Sequence, residues 1–232
     1  MIVIITGASR GIGKAIAKKF STPNNIIILI AKSEEKLIAT KKELAASHES
    51  TIFHSFVADL SNKNEVIQLA KNCLSIGVPD IIINNAGTYT PGNCYNENDG
   101  ALESMMNLNL YAAYHLTRAL LPKMIEKNSG HVFNVCSIAS LKAYEGGGSY
   151  SISKFALNGF SQNLRHELKS TGIKVTAVFP GAVHTESWGD FDNSNQRIME
   201  ADDIAIMIYA ATQVSKQAVV EEIVIRPQLG DL

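Results

Sequence analysis

Residues 1–13 read MIVIITGASRGIG. An apolar, β-branched run at 2–6 passes directly into three glycines spaced Gly7-x3-Gly11-x-Gly13, and a helical pattern opens at Gly11. That order predicts a strand, a tight turn and a helix whose N-terminus faces an anion. Close backbone approach to a pyrophosphate needs glycine, and the unpaired N–H groups of a helix start supply the donors. The spacing differs from the G-x-G-x-x-G fingerprint, but the physical demands are similar. A glycine-rich turn alone is weak; its place after a first strand is the stronger signal. Gly7, Ser9, Arg10, Gly11, Ile12 and Gly13 are therefore candidate cofactor contacts.

Outward from that turn, short β-rich runs alternate with longer helical patterns. Strands are predicted at 2–6, 26–31, 51–57, 80–84, 131–136, 174–178 and 219–225, and helices at 11–21, 33–47, 64–75, 100–127, 150–171 and 202–214. Most strand runs are continuously apolar, as parallel strands covered on both faces require. Ser33 before Glu34 and Glu35 reads as a helix cap with an acidic first turn, and Gly172 as a helix stop. The alternation predicts one doubly wound α/β domain of Rossmann type over residues 1–232, with right-handed crossovers. The polar stretch 187–200, SWGDFDNSNQRIME, falls after the sixth strand, where ligands bind in this architecture. It reads either as a flap over the site or as an ordinary surface loop.

Composition bounds the function. Lys plus Arg number 21 against 22 Asp plus Glu, a net charge of −1, which argues against a nucleic-acid partner. The longest apolar run, 26–31, is too short to span a bilayer. No signal peptide is visible, and the three cysteines (Cys73, Cys94, Cys136) have no CxxC or Cys/His ligand spacing. A cytoplasmic protein with reduced thiols and no metal is the expectation.

The second strand ends ILIAKSEE. Ala31 stands where an aspartate would hold the ribose of NAD, Lys32 follows it, and Arg10 lies inside the glycine turn. Two cations favour a 2′-phosphate and hence NADP(H); both are otherwise solvated surface charges. Asp59 and Leu60 close the third strand, where an acid can accept from an adenine amino group and a leucine can pack by the ring. NNAG at 84–87 closes the fourth; Asn84 or Asn85 can tie strand ends together, while Ala86 and Gly87 let backbone approach a ribose.

At the other end of the cleft, residues 146–154 read GGGSYSISK. Tyr150 and Lys154 are four apart and share a helical face. They are either a half-buried ring with a solvated lysine, or a working pair. Ser137 ends the fifth strand thirteen positions before Tyr150. Hydride delivery to a carbonyl leaves an alkoxide that needs a proton. A phenol can give one, but its ordinary pKa of about 10 suits neutral pH poorly; an adjacent ammonium favours the phenolate. A serine hydroxyl can hold the oxygen where charge develops.

Taken together, TGASRGIG, ADL (58–60), NNAG, NLNLYAAYHLTRALLP (107–122), Ser137, YSISK (150–154) and PGAVHT (180–185) make the chain resemble the short-chain dehydrogenase/reductases from end to end. The resemblance implies a seven-stranded parallel sheet in the order 3-2-1-4-5-6-7. It implies Tyr150 as proton donor, Ser137 as partner of the substrate oxygen, and Lys154 as ribose ligand and modulator of the tyrosine. Asn109 would distort its helix and hold a water in a proton relay. Pro180, Gly181, Val183 and Thr185 would lie along the nicotinamide, Val183 and Thr185 against its carboxamide. It also implies a homo-oligomer, most simply a homodimer pairing the fourth and fifth predicted helices. His184 and Trp188 each read as cleft residues or bystanders, and Cys136 as a buried strand-end thiol.

Within the family, PGAVHTESWG and VVEEIVIRP look like the bacterial sepiapterin-reductase and diketone-reductase type, implying a small ketone or diketone, or a pterin side chain, as substrate. The alternative is a 3-oxoacyl-[acyl-carrier-protein] reductase. That branch usually ends in Asp-Gly-Gly and carries arginines for its acidic carrier; here the end is RPQLGDL, and the expected arginine positions read MIEKNSGH and Thr171, with only Lys123 and Lys127 nearby. The stretch at 187–200 adds acid, with Glu186 beside it and Asp190, Asp192 and Glu200 in it against Arg197 alone. A non-catalytic NADP(H)-sensing protein is a remoter alternative, since such relatives generally lose the tyrosine or lysine.

Overall fold

The computed structural model describes residues 1–231. Its frame is a seven-stranded sheet, all neighbours parallel, built from β1 (Ile2–Thr6), β2 (Ile26–Ala31), β3 (Ile52–Val57), β4 (Ile81–Asn84), β5 (Gly130–Val135), β6 (Ile173–Pro180) and, after two short strands introduced below, β9 (Glu222–Ile225). The order is β3-β2-β1-β4-β5-β6-β9. This is the expected doubly wound topology, and its reversal between β1 and β4 opens a crevice at the carboxyl ends of the strands.

The continuous apolar strands serve two cores at once. In β1, Val3 and Ile5 point to one face and Ile4 to the other; in β2, Ile27 and Leu29 oppose Ile28 and Ile30. The first face is covered by α1 (Gly11–Phe20), α2 (Glu34–Ser47) and α7 (Ala201–Thr212). The second is covered by α3 (Lys63–Ile76), α5 (Ala112–Lys127) and α6 (Gly148–Glu167). No helix among the described residues is long and apolar enough to cross a membrane.

The structure departs from the sequence reading in four places. The expected helix 100–127 is interrupted: α4 (Ala101–Met106) passes through a π-helical turn, Asn107–Tyr111, before α5. The expected helix 150–171 starts earlier, at Gly148, and stops at Glu167; Gly172 lies beyond it as a close-approach residue, where a Cβ would sit 2.4 Å from the Asn128 carbonyl oxygen. The last strand begins at Glu222 and not at 219; ahead of it the Val220 carbonyl accepts from the Thr176 hydroxyl at 2.6 Å. The stretch 187–200 is not uniform loop: a 3-10 turn, Glu186–Trp188, opens it, and β8 (Met199–Glu200) closes it by pairing with β7 (Val183–His184). Elsewhere element ends agree within one or two residues, with β6 reaching two residues further, to Pro180. Ser33 sits at the cap position of α2, but its hydroxyl makes no capping bond.

One buried polar residue ties stability to pH. His131 on β5 is 6% exposed, stacked on Phe133 with ring centroids 3.9 Å apart, and its Nε2 meets the Thr176 hydroxyl at 2.7 Å. Burial, with a smaller push from Lys174, lowers its pKa from 6.5 to about 3. The unfolded chain therefore takes up a proton below pH 6.5 that the native state refuses. Stability is intact above that pH and falls by up to about 1.4 kcal/mol per unit between 6.5 and 3. His131→Asn is expected to flatten the slope of Tm against pH across this window; an unchanged slope would show that His131 does not drive the acid limb.

Candidate active site

The glycine turn is shaped by contact as well as by backbone freedom. Gly7 and Gly11 have φ of +65° and +52°, which favours glycine. Gly13 has no such need, yet a Cβ there would lie 2.2 Å from the Gly7 carbonyl oxygen and 2.6 Å from Asn85 Nδ2. Helix α1 thus starts pressed against its own turn. The turn is locked to the end of β4: Asn85 Nδ2 donates to the Thr6 and Gly7 carbonyls at 2.9 and 3.3 Å, while Thr6 Oγ1 accepts from Asn85 N and Ala86 N, both at 2.9 Å. Asn84 faces the other way and bridges to Asn134 and Thr117, at 2.8 and 2.9 Å. Both asparagines tie strand ends, each to a different neighbour.

An outer cavity of about 550 Å³ runs along this turn. It is lined by Gly7, Ser9, Arg10, Gly11 and Ile12, by Lys32, Asp59 and Leu60, and by Asn85, Ala86 and Gly87. Gly13 lies beneath this lining. Two features alter the picture drawn from sequence. Lys32 is not a free cation: its Nζ pairs with Asp59 at 2.7 Å. The contact holds the Asp59 carboxyl down to about pKa 2, through hydrogen bonds first from Lys32 and then from Ser61, and raises Lys32. Lys36, two residues into α2, joins the rim as a third cation, while Glu186 adds an acid. Leu60 is 5% exposed and packed chiefly into the second core.

The inner cavity, about 690 Å³, is continuous in lining with the outer one through Ile12, Asn85, Gly87 and Thr88. Its wall carries Ser137, Tyr150 and Lys154 together. Lys154 is 5% exposed, not solvated, and its Nζ donates to the Val135 carbonyl at 2.8 Å. That ammonium lies 5.9 Å from the Tyr150 ring centroid. The β5 end and the first turns of α6 are thereby stapled. Ser137 caps the 3-10 turn Ile138–Ser140, its Oγ accepting from Ala139 N at 3.1 Å. Asn109 is 1% exposed within the π-helical turn. Its carboxamide accepts from Thr88 N at 2.8 Å and donates to Thr88 O and Ser153 Oγ at 3.0 and 2.9 Å. Between these groups stands Gly87, where a Cβ would come within 3.1 Å of Asn109 Oδ1 and 3.5 Å of Lys154 Nζ.

Pro180, Gly181, Val183 and Thr185 line the same cavity, and so does Trp188, whose ring also packs on Phe191. His184 does not; on the short strand β7 it alternates away from its neighbours. Cys136 lines the cavity but is 3% exposed, and burial pushes its thiol up to about 11. Sequence reasoning missed Tyr89, Lys142, Tyr144, Arg226 and Asp231, which also face the cavity. These sit in irregular segments without periodicity, so only the folded chain brings them together. Burial, then the neighbouring Tyr89, raises the Tyr144 phenol above its ordinary range, which keeps it a neutral donor. Tyr89 meets Tyr150 edge-on, centroids 4.9 Å apart.

Comparison with known proteins agrees with this geometry. Residues 1–196 match the family model described as short chain dehydrogenase. The chain is 33% identical over 238 residues to the sepiapterin reductase of Chlorobaculum tepidum, covering 100% of this chain and 98% of that protein. Among solved structures it is similar to a metagenomic short-chain oxidoreductase in complex with NADP, with a TM-score of 0.86, 30% identity and coverage of 98% and 97%. A closed form of serine dehydrogenase complexed with NADP+ gives a TM-score of 0.88 at 26% identity, covering 100% and 97%. Motif, topology and whole-length likeness converge, and the chain belongs to the short chain dehydrogenase family of oxidoreductases.

Proposed function

We propose that this oxidoreductase is an NADPH-dependent carbonyl reductase that converts a small ketone or diketone, a pterin side chain included, to the alcohol. The observation that carries the reading is the inner wall, where a buried lysine, a tyrosine one helical turn away and a strand-end serine face one cavity. The cleft fits the cofactor. Gly7 and Gly13 let the turn, the helix start and the end of β4 close on one another, Gly11 faces Thr185 across the cavity, and Arg10, Lys32 and Lys36 gather at its outer end. NADPH held there would supply a hydride to the carbonyl carbon, leaving the carbonyl oxygen as an alkoxide.

The chain supplies the rest. Tyr150 gives its phenolic proton to the alkoxide oxygen and is reprotonated from solvent. Ser137 Oγ donates a hydrogen bond to the same oxygen as charge develops. The Lys154 ammonium stabilises the negative charge left on the ring and holds the cofactor's ribose. Asn109 braces Thr88 and Ser153 within a π-helical turn, the kind of irregularity that often marks a functional site, and is assigned to hold a relay water. Residues 187–200, with Trp188 on the cavity wall, act as a flap.

A free ketone is favoured over a carrier-bound thioester by the state of the two lysines that remained for an acidic carrier. Lys123 lies beside Glu126 at 2.7 Å and Lys127 beside Asp80 at 2.5 Å, so each acid lowers the net positive potential this face would present to an acidic carrier. The resemblance to a sepiapterin reductase points the same way.

A homodimer is the expected assembly. Ile152 and Phe155 on α6 are 42% and 44% exposed, Leu102 on α4 and Tyr111 in the π-helical turn are 38% and 44% exposed, and a Cβ built at Gly159 on α6 meets nothing beyond its own helix within 4 Å. An apolar face of this kind needs a partner.

Tyr150→Phe is expected to cut NADPH oxidation on the best 1,2-diketone by about 10²–10⁴-fold with cofactor binding retained. A variant that keeps more than about a tenth of wild-type turnover would remove Tyr150 as the acid. The same assay on acetoacetyl-carrier protein tests the substrate class, and a kcat/KM there above the diketone value, falling steeply with salt, would transfer the assignment to the carrier branch. Fluorescence titration should give an NADPH Kd at least about tenfold below that for NADH, narrowed or reversed by Lys32→Asp; equal constants would refute the 2′-phosphate assignment. Sedimentation at micromolar concentration should show a dimer that Phe155→Asp weakens, and a wild-type monomer would leave the α6 face unexplained.

A further inference from the structure

The glycine run before Tyr150 is occupied from outside. The segment 88–97, between β4 and α4, lies directly on it: Gly92 N donates to the Gly146 carbonyl at 3.0 Å, and Gly146 N donates to Asn93 Oδ1 at 3.3 Å. A Cβ at Gly148 would sit 2.5 Å from the Gly92 carbonyl oxygen and 2.8 Å from Glu97 Oε2. Glu97 then reaches the start of α6. Its Oε2 accepts from Ser149 N at 3.3 Å, and its Oε1 accepts the Ser149 hydroxyl proton. Ser149 is 1% exposed and Glu97 half-buried, so the contact is shielded on the helix side, and Gly147 at the cap position of α6 has no side chain to serve instead. A carboxylate on the first N–H groups of a helix is stabilised by both hydrogen bonding and the helix dipole.

We propose that Glu97 is a positioning residue for Tyr150. Its carboxylate clamps the first turn of α6, one residue before Tyr150, to the segment that also carries Tyr89. Because Tyr89 packs edge-on against the Tyr150 ring, the clamp sets both the backbone origin of the phenol and one wall of its rotamer well. Of the three consecutive glycines it is Gly148 that lets this acid-bearing segment lie against the helix start; Gly147 lies against Tyr144 instead, and Gly146 has a φ of +72°. This inference rests on the proposed role of Tyr150 as proton donor.

The test compares Glu97→Ala, Glu97→Gln, Ser149→Ala and the Glu97→Ala/Ser149→Ala double variant with Tyr150→Phe. A displaced acid loses up to about 10²-fold in rate, so Glu97→Ala should lower kcat by about tenfold or more while the NADPH Kd stays within about twofold. Glu97→Gln, which keeps one acceptor, should recover part of that loss. The double variant should be no worse than the poorer single one, since both act through one contact. Amide exchange at residues 149–151 should quicken in Glu97→Ala. If that variant does not fold, Ser149→Ala reads the same contact from the helix side. A kcat within about twofold of wild type in both singles, or fully additive losses, overturns the clamp. An inactive Tyr150→Phe beside fully active clamp variants removes this inference alone; an active Tyr150→Phe removes the proton-donor reading beneath it.

Discussion

A carbonyl oxygen stands where the side chain of residue 13 would have to be. The Gly7 carbonyl, 2.2 Å from any Cβ at Gly13, forces helix α1 to begin in contact with the turn that delivers it. Thr6 and Asn85 then fasten that turn to the end of β4. Everything at the carboxyl edge of the sheet follows from this packing. The crevice opens between β1 and β4 because the chain winds outward from there in both directions. The helix start faces the crevice because no side chain holds it away.

The inner wall is held by the protein's own contacts. Lys154, Ser137 and Asn109 each have a protein partner that orients them: the Val135 carbonyl, the Ala139 amide, and the Thr88 and Ser153 pair. Burying an ammonium costs several kcal/mol unless it is partnered. Lys154 therefore persists in its buried position through the Val135 carbonyl, with its remaining donor capacity toward the cavity. Groups held this way need no reorganisation at the moment of reaction, which is where preorganised electrostatics contributes most.

The outer end works differently. Its cations sit on solvent-facing segments, and one of them, Lys32, already shares its charge with Asp59. Exposed pairs are screened and weak, so this end can exchange an internal partner for a phosphate at little cost. The cleft thus combines a rigid chemical end with an adjustable binding end.

The strands, the doubly wound alternation and the residues that line the cleft were legible in the sequence because each rests on a local rule, whereas the strand order followed from the family resemblance. Continuous β-branched runs mean strands covered on both faces, glycine spacing after a first strand means an anion turn, and Tyr150 with Lys154 share a helical face by simple periodicity. What stayed hidden depends on contacts between segments far apart in the chain. The close approach at Gly172 is set by Asn128, and the bond from the Thr176 hydroxyl to the Val220 carbonyl joins residues 44 positions apart. Lys32 looked free because Asp59 is 27 positions away, and Glu97 carried no motif at all. Local pattern determined the strands, the helices and which side chains face the cleft. Only the tertiary structure decided which charges are spent on each other and which loops hold the tyrosine, because side-chain pairing across long sequence separations has no periodicity to read.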